Sequence, residues 1–149
     1  MFTMQDSRKI QVGIVIVTHA DYGAALLRAA EHILGPAQDC ASIQVDINCD
    51  VSETVNRLKE AVALLDTGKG VLVLTDMFGG TPTNLSLSLI GGGNIEVLTG
   101  VNLPMLLKAM GNRDKSLKEL SEIAYIAGCD GIAVAGELLR SKQRKNEDK

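Results

Sequence analysis

The chain has 149 residues, close to the length of one domain, enough to bury roughly two thirds of its unfolded surface. Hydrophobic residues make up 46% but aromatics only 3%, so the core has to be built from Val, Ile, Leu, Ala and Met, as in sheets covered on both faces. A net charge of −3 lacks the basic footprint of a nucleic-acid binder, and no apolar run reaches the roughly 18–20 residues that span a bilayer.

The lead, residues 1–11, is polar over Met1–Ile10 and does not read as a secretory leader. Val12–Val17 is a continuous, β-branched run, the pattern of a strand buried on both faces. After Thr18-His19-Ala20-Asp21, helical spacing of Leu26, Leu27, Ala30, Ile33 and Leu34 predicts a helix over Tyr22–Leu34, stopped by Gly35-Pro36. Ile43, Val45 and Ile47 alternate with polar residues and predict a strand near a sheet edge. Val51–Asp66 reads as a helix with a stripe of Val55, Leu58, Val62 and Leu65, and its capping box is incomplete.

Val71–Leu74 is a second fully apolar strand, ending at Thr75-Asp76. Met77-Phe78-Gly79-Gly80 follows, then a helix starting with Thr81 as N-cap and Pro82 at the first helical position, closed by Gly91-Gly92-Gly93. Asn94–Thr99 is a fourth strand, Pro104 opens a helix through Met110, and Ser116–Ala127 is helical. The spacing allows a short last strand over Gly131–Ala135, before a charged tail, residues 137–149, that is a frayed helix or disordered. Strands alternating with helices make βαβ units, so the expected fold is a single α/β domain over 12–136: a doubly wound, mainly parallel sheet with helices on both faces. Cys40, Cys49 and Cys129 are odd in number and lack CxxC spacing. Reduced thiols in a cytosol, packed as small hydrophobes, are the expectation, and a zinc site is not.

Ligands of open parallel sheets bind beyond the carboxyl ends of the strands. Two such ends carry polar residues that packing does not require: His19 and Asp76. A neutral imidazole is a nucleophile at one ring nitrogen only while the other holds the proton. Asp76 could fix that tautomer and stabilise the cation formed as phosphorus bonds. Gly79-Gly80 lets backbone approach a ligand closely, and the N–H groups of the helix start at Thr81 suit an anion such as a phosphoryl group. His32 reads as a helix-surface residue. Arg28 stands a turn or two from the site, Asn84 and Asn102 cap backbone or shape the rim, and Phe78 is either a buried plug or an exposed docking residue.

Three stretches stand out in order: Gly13-Ile-Val-Ile-Val-Thr-His-Ala20, Leu74-Thr-Asp-Met-Phe-Gly-Gly-Thr-Pro-Thr-Asn84 and Thr99-Gly-Val-Asn-Leu-Pro-Met105. Together they resemble the mannose-type IIA family of the sugar phosphotransferase system. The likeness runs from about Val12 to Ala135. It implies a phosphotransferase of the cytoplasm in which His19 is phosphorylated by the phosphocarrier HPr and Asp76 orients it. It also implies that Gly79, Gly80 and Thr81 hold the phosphoryl oxygens, with neither metal nor cofactor. The implied partners are a IIB component, with membrane IIC and IID components nearby, and a second copy in a homodimer that exchanges a last antiparallel strand. The family typically has Ser where Thr81 stands, and often Gly at Ala20 and Trp at Phe78. With no IIB sequence following the domain, a regulatory phosphoprotein reporting phosphorylation state is an alternative. A phosphoryl donor to a dihydroxyacetone kinase is another. A nucleotide-binding module is disfavoured because Thr18–Tyr22 lacks a glycine pair, and a receiver domain because Asp76 has only Asp21 as an acidic companion.

Overall fold

A computed structural model describes residues 8–147; the first seven residues of the lead and the last two of the tail lie outside the described residues. Among the described residues four strands form one parallel sheet: β1 (Gly13–His19), β2 (Cys40–Val45), β3 (Val71–Thr75) and β4 (Ile95–Thr99). Their order is β2-β1-β3-β4. The two continuous apolar runs thus become the central strands, as full burial of both faces demands. In register, Gly13 pairs with Val71 and Val17 with Thr75.

Between and after the strands lie α1 (Tyr22–Leu34), α2 (Val51–Leu65), α3 (Thr81–Leu87), α4 (Leu103–Gly111), α5 (Leu117–Asp130) and α6 (Ala135–Glu147). Alternation along β1 splits the core. Ile14 and Ile16 pack with Leu72 and Leu74 against Ala30, Leu106, Leu120 and Ala124, so α1, α4 and α5 cover one face. Val15 and Val17 pack with Val71 and Val73 against Leu58, Leu65 and Leu85, which sets α2 and α3 on the other. This is the doubly wound α/β arrangement expected. Helix α1 settles close to β1 because Gly23 has no side chain: a Cβ there would meet Ile16 Cγ2 at 2.9 Å.

Several local expectations change. β2 stops at Val45, and Ile47 is fully exposed, because Asp46 O accepts from Cys49 N at 3.1 Å and turns the chain. The α2 stripe holds, with Leu58 and Leu65 buried and an N-cap in which Asp50 accepts from Glu53 N. Helix α3 ends at Leu87 rather than at the glycines. Helix α5 extends to Asp130 and carries a complete capping box between Ser116 and Glu119. Gly131–Ala135 is not a strand in the single chain; residues 131–134 pair with no neighbour and Ala135 already begins α6. The physical reason is that no strand lies alongside this segment among the described residues, and an extended segment without one has no ladder. The tail is helical through Glu147 and wholly exposed. Cys40 and Cys49 are half-buried, but Cys129 is exposed, contrary to the small-hydrophobe expectation.

One buried charge lies at the far end of the sheet from the strand ends. Arg113 is buried, and its guanidinium donates to the carbonyls of Val12 at 2.7 Å, Gln38 at 2.5 Å and Asp39 at 3.3 Å. The Asp39 carboxylate lies 3.9 Å away. Among the described residues no helix is long and apolar enough to cross a membrane.

Candidate active site

β1 and β3 are neighbours, so their carboxyl ends share one rim. With Val17 opposite Thr75, His19 stands two residues past one member of the pair and Asp76 one past the other. Residues 57 apart in sequence thereby meet: His19 Nδ1 lies 2.7 Å from Asp76 Oδ2, and the His19 backbone N–H donates to the same oxygen at 2.9 Å. Asp76 Oδ1 in turn accepts from Met77 N at 3.0 Å. Burial pushes the Asp76 carboxyl up, but the hydrogen bonds from the His19 backbone and ring, the charge of the ring and the Met77 N–H outweigh it and hold the carboxyl below its ordinary value.

A carboxylate accepts and cannot donate, so Asp76 selects the ring form with its proton on Nδ1. Nε2 keeps its lone pair. The His19 side chain is 49% exposed against 14% for Asp76, so the carboxylate is sheltered and the ring is accessible.

Gly80 closes on the ring from below. A Cβ built there would lie 3.0 Å from His19 Cε1 and 3.7 Å from Nε2, tighter on Cε1 than ordinary side-chain contact. Gly80, not Thr81, is the N-cap of α3, in extended conformation and without a side-chain cap. The N-cap expectation therefore shifts by one residue: Thr81 occupies the first helical position, exposed, with Pro82 next. Gly79 has φ +81, which a glycine adopts freely.

The other residues singled out in the sequence separate clearly. Phe78 is 78% exposed and Met77 55%, which removes the buried-plug reading and puts an apolar pair on the rim. Asn102 caps α4 by accepting from Met105 N, and its amide donates to Gly128 O, so its work is structural. Arg28, His32 and Asn84 are exposed helix residues. Two rim contacts carried no advance signal. The Tyr22 hydroxyl donates to Val101 O at 3.0 Å, bridging α1 and the β4–α4 loop, and the buried Thr18 hydroxyl accepts from Gly23 N at 2.8 Å.

The family described as PTS system fructose IIA component, EIIA-man, matches residues 13–125 of this chain. The chain belongs to that family. It is 35% identical over 124 residues to the "PTS system mannose-specific EIIAB component" of Escherichia coli (strain K12), a match covering 81% of this chain and 38% of that protein. The chain thus spans well under half the length of that relative. The "PTS system fructose-specific EIIA component" of Bacillus subtilis (strain 168) is 26% identical over 139 residues, 92% of this chain and 95% of that one. Among solved structures, phosphotransferase system component EIIA from Streptococcus agalactiae is similar with a TM-score of 0.77 at 28% identity, covering 85% of this chain and 98% of its own.

The relatives that match are, by name, mannose-, fructose- and sorbose-specific components of the phosphotransferase system. In this chain, Ala20 has φ +47, in the left-handed region that disfavours a Cβ. The residue directly after the site histidine thus occupies a backbone position made for glycine.

Proposed function

We propose that His19 accepts a phosphoryl group from phosphorylated HPr and passes it to a IIB partner for sugar uptake. The 2.7 Å contact between His19 Nδ1 and Asp76 Oδ2 carries this reading, because it leaves Nε2 as the free nucleophile on a half-exposed ring. The Nε2 lone pair forms the new bond to phosphorus as the phosphorus–nitrogen bond of the donor breaks, its electron pair returning to the donor imidazole. The Nδ1 proton stays in the hydrogen bond to Asp76, whose negative charge offsets the positive charge gained by the ring. Transfer to IIB runs the same step with His19 as the leaving group. In-line phosphoryl transfer needs positioning and charge stabilisation more than covalent machinery, in keeping with so small a site.

In this reading the phosphoryl oxygens rest against Gly79, Gly80 and Thr81. The first N–H groups of α3 have no partners within the helix, and the bare Gly80 leaves room beside the ring. Exposed Met77 and Phe78 form the apolar part of the surface met by HPr and IIB. The protein works in the cytoplasm, beside membrane IIC and IID components.

Incubation with phosphorylated HPr tests the assignment. The wild-type chain takes up acid-labile label on Nε2 of His19, and His19→Ala takes up none; full labelling of that variant would overturn the site.

The reading also pairs two copies through their C-terminal segments. β4 is a sheet edge, flanked by a groove of about 240 Å³ lined by Val97, Leu98 and Tyr125. Ile132, Val134, Leu138 and Leu139 are all more than half exposed on the segment that follows α5. A free edge and an uncovered apolar segment in one chain are complementary between two. Sedimentation should give a dimer, and Ile132→Asp with Val134→Asp a monomer; an unchanged dimer would exclude this segment from the interface.

A further inference from the structure

Two buried hydroxyls lie directly beneath the Asp76 loop, and nothing in the chemistry above uses them. Thr75 ends β3 and Thr83 sits in the first turn of α3; both are fully buried. Their Oγ1 atoms are 2.6 Å apart, and Thr83 Oγ1 also donates to Met77 O at 2.5 Å. A hydroxyl has one proton. With the Thr83 proton committed to Met77 O, the Thr75 hydroxyl has to be the donor in the contact between the two. The chain of bonds therefore runs one way, from Thr75 to Thr83 to the Met77 carbonyl.

The residue between Thr75 and Met77 is Asp76. A single side chain, Thr83, thus grips the backbone immediately before Asp76 through the Thr75 side chain, and immediately after it through the Met77 carbonyl. Met77 also supplies, through its N–H, the hydrogen bond to Asp76 Oδ1. Holding the carbonyl on one side of Met77 and the carboxylate on the other fixes the direction in which Oδ2 meets the His19 ring. Packing alone does not ask for these hydroxyls. β3 is otherwise Val-Leu-Val-Leu, and Val would fill the Thr75 position with the same shape. Burying a hydroxyl is unfavourable unless it is bonded, and a pair that satisfies itself adds little net stability.

We propose that Thr83 is a positioning residue for phosphoryl transfer: with Thr75 it clamps the loop so that Asp76 holds the His19 ring in its Nδ1–H form. This rests on the phosphocarrier reading of His19, but its structural half is measurable without any phosphoryl donor. Thr83→Val keeps the shape and removes the bond to Met77 O. Thr83→Ser keeps the hydroxyl. Thr75→Val/Thr83→Val removes both hydroxyls together, the replacement that leaves no orphaned polar partner between them and so best preserves stability.

Nitrogen-15 spectra of the His19 ring should show the Nδ1–H form dominant in wild type and Thr83→Ser, with a mixture of tautomers in Thr83→Val and in the double variant. Labelling from phosphorylated HPr should fall about 10-fold in the same two variants and be restored by Ser. If Thr83→Val or, should it not fold, the double variant keeps the wild-type tautomer, the proposal is overturned, whatever the labelling shows. If the tautomer shifts while wild type itself takes no label, the clamp stands and the phosphocarrier reading is what fails. A shifted tautomer with undiminished labelling removes Thr83 from the transfer step and overturns the proposal.

Discussion

Asp76 Oδ2 accepts two hydrogen bonds from one residue, His19: its backbone N–H at 2.9 Å and its ring Nδ1 at 2.7 Å. The carboxylate therefore fixes both where the histidine's backbone sits and how its ring turns. Asp76→Asn keeps the size but can turn its amide NH₂ toward the ring, favouring the wrong tautomer. Label uptake from phosphorylated HPr should fall by about 10²-fold, with the overall fold unchanged by circular dichroism.

The same contact has an acid limit. Asp76 titrates lower in the folded chain than its ordinary value of 3.8, so as pH falls the unfolded chain takes up that proton first. The stability it contributes is complete above that ordinary value and is lost as pH falls through the depressed folded value. Urea midpoints of wild type and Asp76→Asn should differ most at pH 5–6 and converge below about pH 4. A difference that grew on acidification would contradict the sign.

Gly80→Ala isolates the space beside the ring. Gly80 has φ −85, a conformation open to any residue, so the backbone tolerates the change. The added methyl meets His19 Cε1 at 3.0 Å and Met77 Cγ at 3.3 Å. Melting temperature should move by no more than about 4 °C while label uptake falls several-fold. Equal losses in both would mean that the glycine serves the fold and not the ring.

Arg113 offers a stability test remote from the chemistry. Arg113→Met fills much of the volume but leaves the carbonyls of Val12, Gln38 and Asp39 without this donor. The expected loss is about 3 kcal/mol in urea unfolding. Lys in its place should recover only part of this, since an ammonium cannot reach three directions from one plane.

Sequence made the centre of the site legible because strand ends are local features: two apolar runs stop at His19 and Asp76, and parallel pairing does the rest. The helix start was misplaced by one residue because Thr81 has the chemistry of an N-cap while the extended backbone falls at Gly80. Gly131–Ala135 allows a short strand, but a strand also needs a partner, and pairing is not encoded locally. Thr83 and Arg113 gave no warning. Their partners, Thr75 and Met77 in one case and Val12, Gln38 and Asp39 in the other, are assembled by folding alone. A polar residue that looks ordinary in the sequence becomes informative only when its burial is known.

The placement of His19 at the end of β1 and of Asp76 one residue past β3 has a kinetic corollary. Sites carried on mobile loops can come apart while the rest of a protein stays intact, and their activity fades well below the melting temperature. Here the ring and its carboxylate stand just beyond the carboxyl end of the β1–β3 ladder, whose residues Val15, Val17, Val73 and Thr75 are fully buried. Their backbones move apart only if the carboxyl ends of these two strands open. The backbones that carry His19 and Asp76 should stay side by side on heating for as long as the domain does, and amide exchange at Val17 and Val73 should report the lifetime of both at once.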